Sequence, residues 1–170
     1  MLPTADQVLV RKLNTSLIMD CLRTRGPLSR AGLSAATGLN RSTVSSIIND
    51  LLAKNLVREM GLQSPTQTGR PGMLLELNPD GGCAVGVEIG VDFISVVLTN
   101  FVAQVLWRTR IPSDPSETQD IIIRRAENLV QEALDIGKKQ GLQPLGIGLG
   151  VPGLVDIQNG TLVFAPNLHW

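Results

Sequence analysis

Several kinds of chemistry are absent or nearly so from this 170-residue chain, and each absence removes a class of function. The two cysteines, Cys21 and Cys83, lie far apart and form no CxxC pair, so neither a cysteine zinc site nor a dithiol redox motif is supported. They read instead as two small apolar residues bound for the interior. His169 is the single histidine. No apolar run approaches the ~20 residues needed to span a bilayer. The opening Met1-Leu2-Pro3-Thr4-Ala5-Asp6 lacks the basic-then-apolar order of a secretory signal, so a cytoplasmic protein with no membrane partner is expected. No internal repeat and no low-complexity tract is present. Excess charge is missing too, since 15 basic residues balance 15 acidic ones.

That balance conceals a division. Residues 1–77 carry nine Lys/Arg against five Asp/Glu, and residues 78–170 carry six against ten. A basic front and an acidic back predict that the front meets a polyanion. With 43% apolar and 18% charged residues, the chain has enough apolar content for a folded core.

The patterning also splits in two. Leu13, Leu17, Ile18, Cys21 and Leu22 recur at helical spacing and predict an amphipathic helix ending near Gly26-Pro27. Ser29 is a good cap for a short second helix carrying Ala31, Leu33 and Ala36, which Gly38 stops. Asn40 caps a third helix with Val44, Ile47, Ile48, Leu51 and Leu52 on one face, and Asn55 can end it. Two strands, 56–60 and 73–77, enclose a turn-rich stretch. Asn78-Pro79-Asp80-Gly81-Gly82 reads as a linker. Beyond it, strands are expected at 84–89, 94–98 and 102–107, then a helix over about 116–139, then a buried strand from Leu145 to Val151.

Helix, short turn, helix and hairpin, in that order, form the layout of a winged helix-turn-helix over residues 1–77. With the apolar face of the third helix on the core, Ser42, Ser46 and Asn49 fall on the opposite face at 100° per residue. Arg41 and Ser45 lie on one flank and Thr43 on the other. These short hydroxyl and amide groups reach base edges and phosphates in a major groove without steric penalty. The same pattern also describes a serine-rich solvated helix; the turn and hairpin around it favour recognition of double-stranded DNA. Arg70, within Gln67-Thr68-Gly69-Arg70-Pro71-Gly72, is one basic residue among glycines and proline. It suits an A·T-rich minor groove, or is simply a loop arginine.

Four stretches carry a family resemblance: Leu39-Asn40-Arg41-Ser42-Thr43-Val44-Ser45, Gly69-Arg70-Pro71, Gly148-Leu149-Gly150-Val151-Pro152-Gly153-Leu154-Val155-Asp156, and Ala165-Pro166-Asn167-Leu168-His169-Trp170. Through them the chain resembles the ROK family (repressors, uncharacterised reading frames and sugar kinases), and its repressor branch in particular. The resemblance implies an α/β protein in which residues 78–82 link the winged domain to the first part of an actin-like, ribonuclease-H-like ATPase-fold lobe at 83–170. It implies a repressor of carbohydrate-utilisation genes that binds an operator and responds to a sugar effector in its full-length form; a homodimer is expected because helix-turn-helix modules usually read paired half-sites. The family's kinases carry a phosphate-binding Asp-x-Gly-Gly-Thr loop. The matching positions here are Glu88, Ile89, Gly90, Val91 and Asp92, where valine crowds the backbone and aspartate repels phosphate. A non-enzyme with no catalytic residue, metal or cofactor is therefore expected; a sugar-kinase fragment is the alternative, and a lobe that only dimerises is a third. The kinases' Asn-Asp pair, Glu-x-Gly-His motif and cysteine-rich zinc site do not occur before Trp170, so a truncation within the sugar-binding domain is expected. Gly153 and Asn167 match sugar-lining positions, and equally fit a structural turn and a cap.

If the hairpin arginine enters a minor groove, Arg70→Ala is expected to weaken operator binding and to lose A·T preference at the flanks. A gel-shift titration at fixed salt that finds mutant and parent equal would remove the wing from recognition.

Overall fold

The computed structural model describes residues 5–62, 72–114 and 116–170. The chain divides into two compact units, Met1–Gly81 and Gly82–Trp170. No helix among the described residues is long and apolar enough to cross a membrane.

The first unit runs α1 (Ala5–Arg25), β1 (Leu28–Ser29), α2 (Arg30–Thr37), α3 (Arg41–Ala53), β2 (Val57–Leu62) and β3 (Met73–Leu77). Local chemistry fixes the helix ends. The Ser29 hydroxyl accepts from the Gly32 amide, and Gly38 closes α2 at φ 73°, its amide donating to the Ser34 carbonyl. The Asn40 side chain accepts from the Thr43 amide and starts α3, and Asn55 reverses the chain after it at φ 59°. Asparagine tolerates this left-handed conformation better than most side chains. The short strand β1 completes an antiparallel sheet of order β1-β3-β2, in which Leu28 and Glu59 flank Leu75 from opposite sides. Ile18, Leu22, Leu33, Val44, Ile47, Ile48, Leu51, Val57 and Leu75 are buried and form the core.

Two of the expected core residues of α1 lie outside it. Ile18, Cys21 and Leu22 are buried, but Leu13 is 61% and Leu17 44% exposed. The reason is length. A helix of 21 residues extends about 31 Å, whereas the eight residues of α2 extend about 12 Å, so α2 covers only part of α1.

The second unit runs β4 (Cys83–Ile89), β5 (Phe93–Asn100), β6 (Val105–Pro112), α4 (Gln119–Lys139), β7 (Pro144–Gly150), β8 (Leu154–Asp156) and β9 (Thr161–Phe164), followed by a 3-10 turn at Pro166–Leu168. Its main sheet has the order β6-β5-β4-β7: an antiparallel meander with β7 added parallel to β4. Alternate residues Val85, Val87 and Ile89 of β4 and Ile94, Val96 and Leu98 of β5 are buried, in one cluster with Ile122, Ala126 and Ala133 of α4. Gly137 brings α4 close to β4, since a Cβ there would sit 3.0 Å from the Cys83 sulfur.

Three features differ from expectation. Strand β6 starts at Val105, because the Asn100 side-chain oxygen accepts from the Val102 and Gln104 amides and holds a turn in which Ala103 takes φ 61°. The hairpin β8–β9 was not foreseen. Strand β7, expected to be buried, is exposed throughout, with Leu145, Ile147 and Leu149 each more than half exposed. It lies at the sheet edge with β4 on one side only.

These packing differences set a test. Ile48→Ala, at a position with no exposed surface, is expected to cost about 2–5 kcal/mol in urea denaturation followed by circular dichroism. Leu13→Ala should stay within about 0.5 kcal/mol of the parent. Comparable losses at both sites would contradict the assignment of core and surface.

Candidate nucleic-acid interface

Helix α3 presents two sharply different faces. Val44, Ile47, Ile48 and Leu51 are buried. Arg41, Ser42, Ser46 and Asn49 are exposed, and Thr43 and Ser45 are half-buried at the margins. The sequence-predicted residues of this helix thus share one surface. Arg70 lies outside the described residues.

The hydrogen bonds of that surface give each side chain a definite polarity. Ser42 donates its hydroxyl to the Asn40 side-chain oxygen at 2.8 Å, the same oxygen that caps the helix. Ser46 accepts from the Arg11 guanidinium at 3.3 Å, and Arg11 also pairs with Asp50. Asn49 accepts through Oδ1 from Arg30 Nη2 at 3.2 Å. A second nitrogen of Arg30 lies 3.9 Å from the Glu59 carboxylate on β2, so one guanidinium reaches both α3 and the strand leading into the hairpin. Arg11 and Arg30 escaped the sequence reading because their partners lie 19 or more residues away. The available signal for Arg30 was its place directly after the Ser29 cap, which fixes its backbone. The pairs are partly exposed, so each contributes at most about 1 kcal/mol to stability, and their main effect is orientation.

In the second unit, the two candidate sugar residues are both exposed but have different surroundings. A Cβ on Gly153 would meet the Phe164 carbonyl oxygen at 2.6 Å and a Leu162 methyl at 2.8 Å, so this glycine permits the β8–β9 hairpin to close against it. Asn167 is exposed on the 3-10 turn, whose cap, Ala165, makes no side-chain bond. Asp156 closes the hairpin turn. The Asn159 side chain and amide, and then the Gln158 amide, donate to its carboxylate and hold its pKa below the ordinary range.

The loop after β4 packs on Phe93 and lines a cleft with Glu88, Gly150 and Pro152. Gly90 is buried, and a Cβ there would come within 2.3 Å of the Phe93 ring. The Arg110 guanidinium stacks over that ring at 3.6 Å from its centroid, a cation–π contact that holds the aromatic group in place.

The ROK family pattern matches residues 84–170. The chain belongs to the ROK family. It is 38% identical over 169 residues to the xylose repressor of Bacillus spizizenii, covering 98% of this chain and 42% of that protein. It is 24% identical over 161 residues to the N-acetylglucosamine repressor of Escherichia coli O157:H7, covering 95% of this chain and 39% of that protein. A solved ROK family transcriptional regulator, described as a homolog of the E. coli MLC protein, superposes with a TM-score of 0.74 at 23% identity, over 95% of this chain and 40% of that one. This chain therefore has the mixed α/β fold of that regulator, and it spans about two fifths of the length of the ROK relatives it matches.

The Gly153 contact is testable. Gly153→Ala is expected to destabilise the second unit by about 1–3 kcal/mol, because the backbone across the hairpin must shift. Trp107 and Trp170 both belong to that unit, so tryptophan fluorescence in urea reads it directly. An unchanged midpoint would show that Gly153 is not needed for packing and return it to ligand contact alone.

Proposed function

We propose that the first unit is a winged helix-turn-helix that reads duplex DNA, and that the second begins an actin-like, ribonuclease-H-like lobe of a sugar-responsive transcription repressor. The observation that carries this reading is the exposed polar face of α3. It offers short hydroxyl and amide groups with Arg41 beside them, and Arg11 and Arg30 bring further positive charge to its edge. Such a surface combines sequence-independent attraction to phosphates with donors and acceptors for base edges. Arg41, Ser42, Thr43, Ser45, Ser46 and Asn49 are the assigned DNA contacts, with Arg70 in the wing. The repressor names of its ROK relatives support the same role, and xylose is the first effector to try. Pairing of two copies on a twofold-symmetric operator follows from the usual behaviour of such modules.

The reading also makes the chain a regulator rather than a kinase. Phosphate binding at a glycine loop needs backbone amides open to the ligand. Here the Gly90 amide is used within the loop, donating to the Phe93 carbonyl, and Val91 and Asp92 replace the glycine and threonine of the kinase loop. Asn167 remains the assigned sugar contact, with its side chain exposed. Gly153 shapes the turn beside it.

The test uses duplexes selected from a random-sequence library, followed by gel shift against unrelated competitor DNA. A specific complex whose affinity falls steeply with salt is expected. In parallel, ATP with xylose or N-acetylglucosamine should yield no sugar phosphate. Failure to select any duplex, or turnover of ATP with either sugar, would overturn the proposal.

A further inference from the structure

The partners of Asn49 point to a rule for what α3 reads. Free asparagine recognises adenine in two ways at once, accepting from the N6 amino group and donating to N7. Asn49 does not have both groups free. Its Oδ1 accepts from Arg30, which leaves the amide nitrogen as its group for reading a base. The oxygen retains a second lone pair. Any donor hydrogen approaching it, however, would also approach a guanidinium, whose charge repels it and whose remaining N–H groups are donors themselves.

We propose that Arg30 is a specificity-determining positioning residue, which turns Asn49 into a donor-only reader and directs it to guanine rather than adenine. Guanine alone among the bases presents two acceptors, O6 and N7, to the major groove. The placement of Arg30 supports this role. Its backbone is fixed between the β1–β3 pairing and the Ser29 cap, and its second nitrogen faces Glu59, so the guanidinium is held from two sides. Arg11 does the same at Ser46, engaging the hydroxyl oxygen and leaving its proton to donate. Ser42 is reversed: its proton is used by Asn40 and its oxygen remains to accept. Along α3 the readout therefore runs acceptor, donor, donor.

This inference rests on the DNA-reading role proposed above, and its test separates the two. Binding sites are selected from a random duplex library with the whole chain as parent, Asn49→Ala, Arg30→Met and Arg30→Ala, with folding checked by circular dichroism. Arg30→Met keeps the aliphatic stem and removes every donor; Arg30→Ala repeats the loss without the stem. Asn49→Ala identifies the position that Asn49 reads, as the one whose preference relaxes. At that position the parent is expected to select guanine. Both Arg30 variants are expected to move it towards adenine by about tenfold in relative enrichment, with neighbouring positions unchanged. Adenine already selected by the parent would overturn the proposal. So would an Arg30 loss that lowers affinity evenly on all sequences, which would make Arg30 a phosphate contact. If Asn49→Ala relaxes no position while the parent still selects a motif, the rule fails and DNA reading stands. If the parent selects no motif, both fall together.

Discussion

Burial of one face of α3 is the constraint on which the remaining features of the first unit depend. Val44 and Ile48 have no exposed surface, and Ile47 and Leu51 have almost none. Each such side chain contributes about 1.5–3 kcal/mol by leaving water. Turning the helix about its axis would lift these groups into solvent and press Ser46, Asn49 and Asp50 into the core, where unpaired polar groups cost several kcal/mol more. The rotation of α3 is thus fixed by its apolar side, and its polar side faces outward as a consequence. Its axial position is fixed as well, by Asn40 at one end and Asn55 at the other.

A second layer of control acts on that outward face. The Arg11–Asp50 and Arg30–Glu59 pairs are too exposed to add much stability. Their arginines matter by occupying particular lone pairs on Ser46 and Asn49. Asp50 and Glu59 each put negative charge near a surface assigned to DNA, and each has an arginine beside it that offsets the repulsion. Fold stability and the polarity of the outward face are therefore handled by different residues.

Much of this was legible in the sequence. The face of α3, the Ser29 and Asn40 caps and the Gly38 stop follow from short-range rules that act within a few residues. Where the reading departed from the structure, the cause was long-range. Leu13 and Leu17 share the apolar stripe of α1 with the buried Ile18 and Leu22, and Leu145, Ile147 and Leu149 share one face of β7, yet these five residues are exposed. Periodicity tells which residues share a face and not what lies against it. The shift of β6 came from a single asparagine, Asn100, whose side chain holds a turn that β-propensity alone does not register. The two arginines beside α3 were invisible for the same reason of sequence distance. Gly153 and Asn167 are both exposed, and the contact of Gly153 with the Phe164 backbone across the hairpin is again long-range in sequence.

Two units with different chemistry follow from these packings: one presents a polar helix face, and the other packs Phe93 against Gly90 with Arg110 over its ring. The most direct measurement of the central claim is a crystal structure of the chain with a selected duplex. Helix α3 is expected in the major groove with Ser46 and Asn49 within about 3.2 Å of base edges. A complex in which α3 stands clear of the groove, with the duplex held elsewhere, would contradict it.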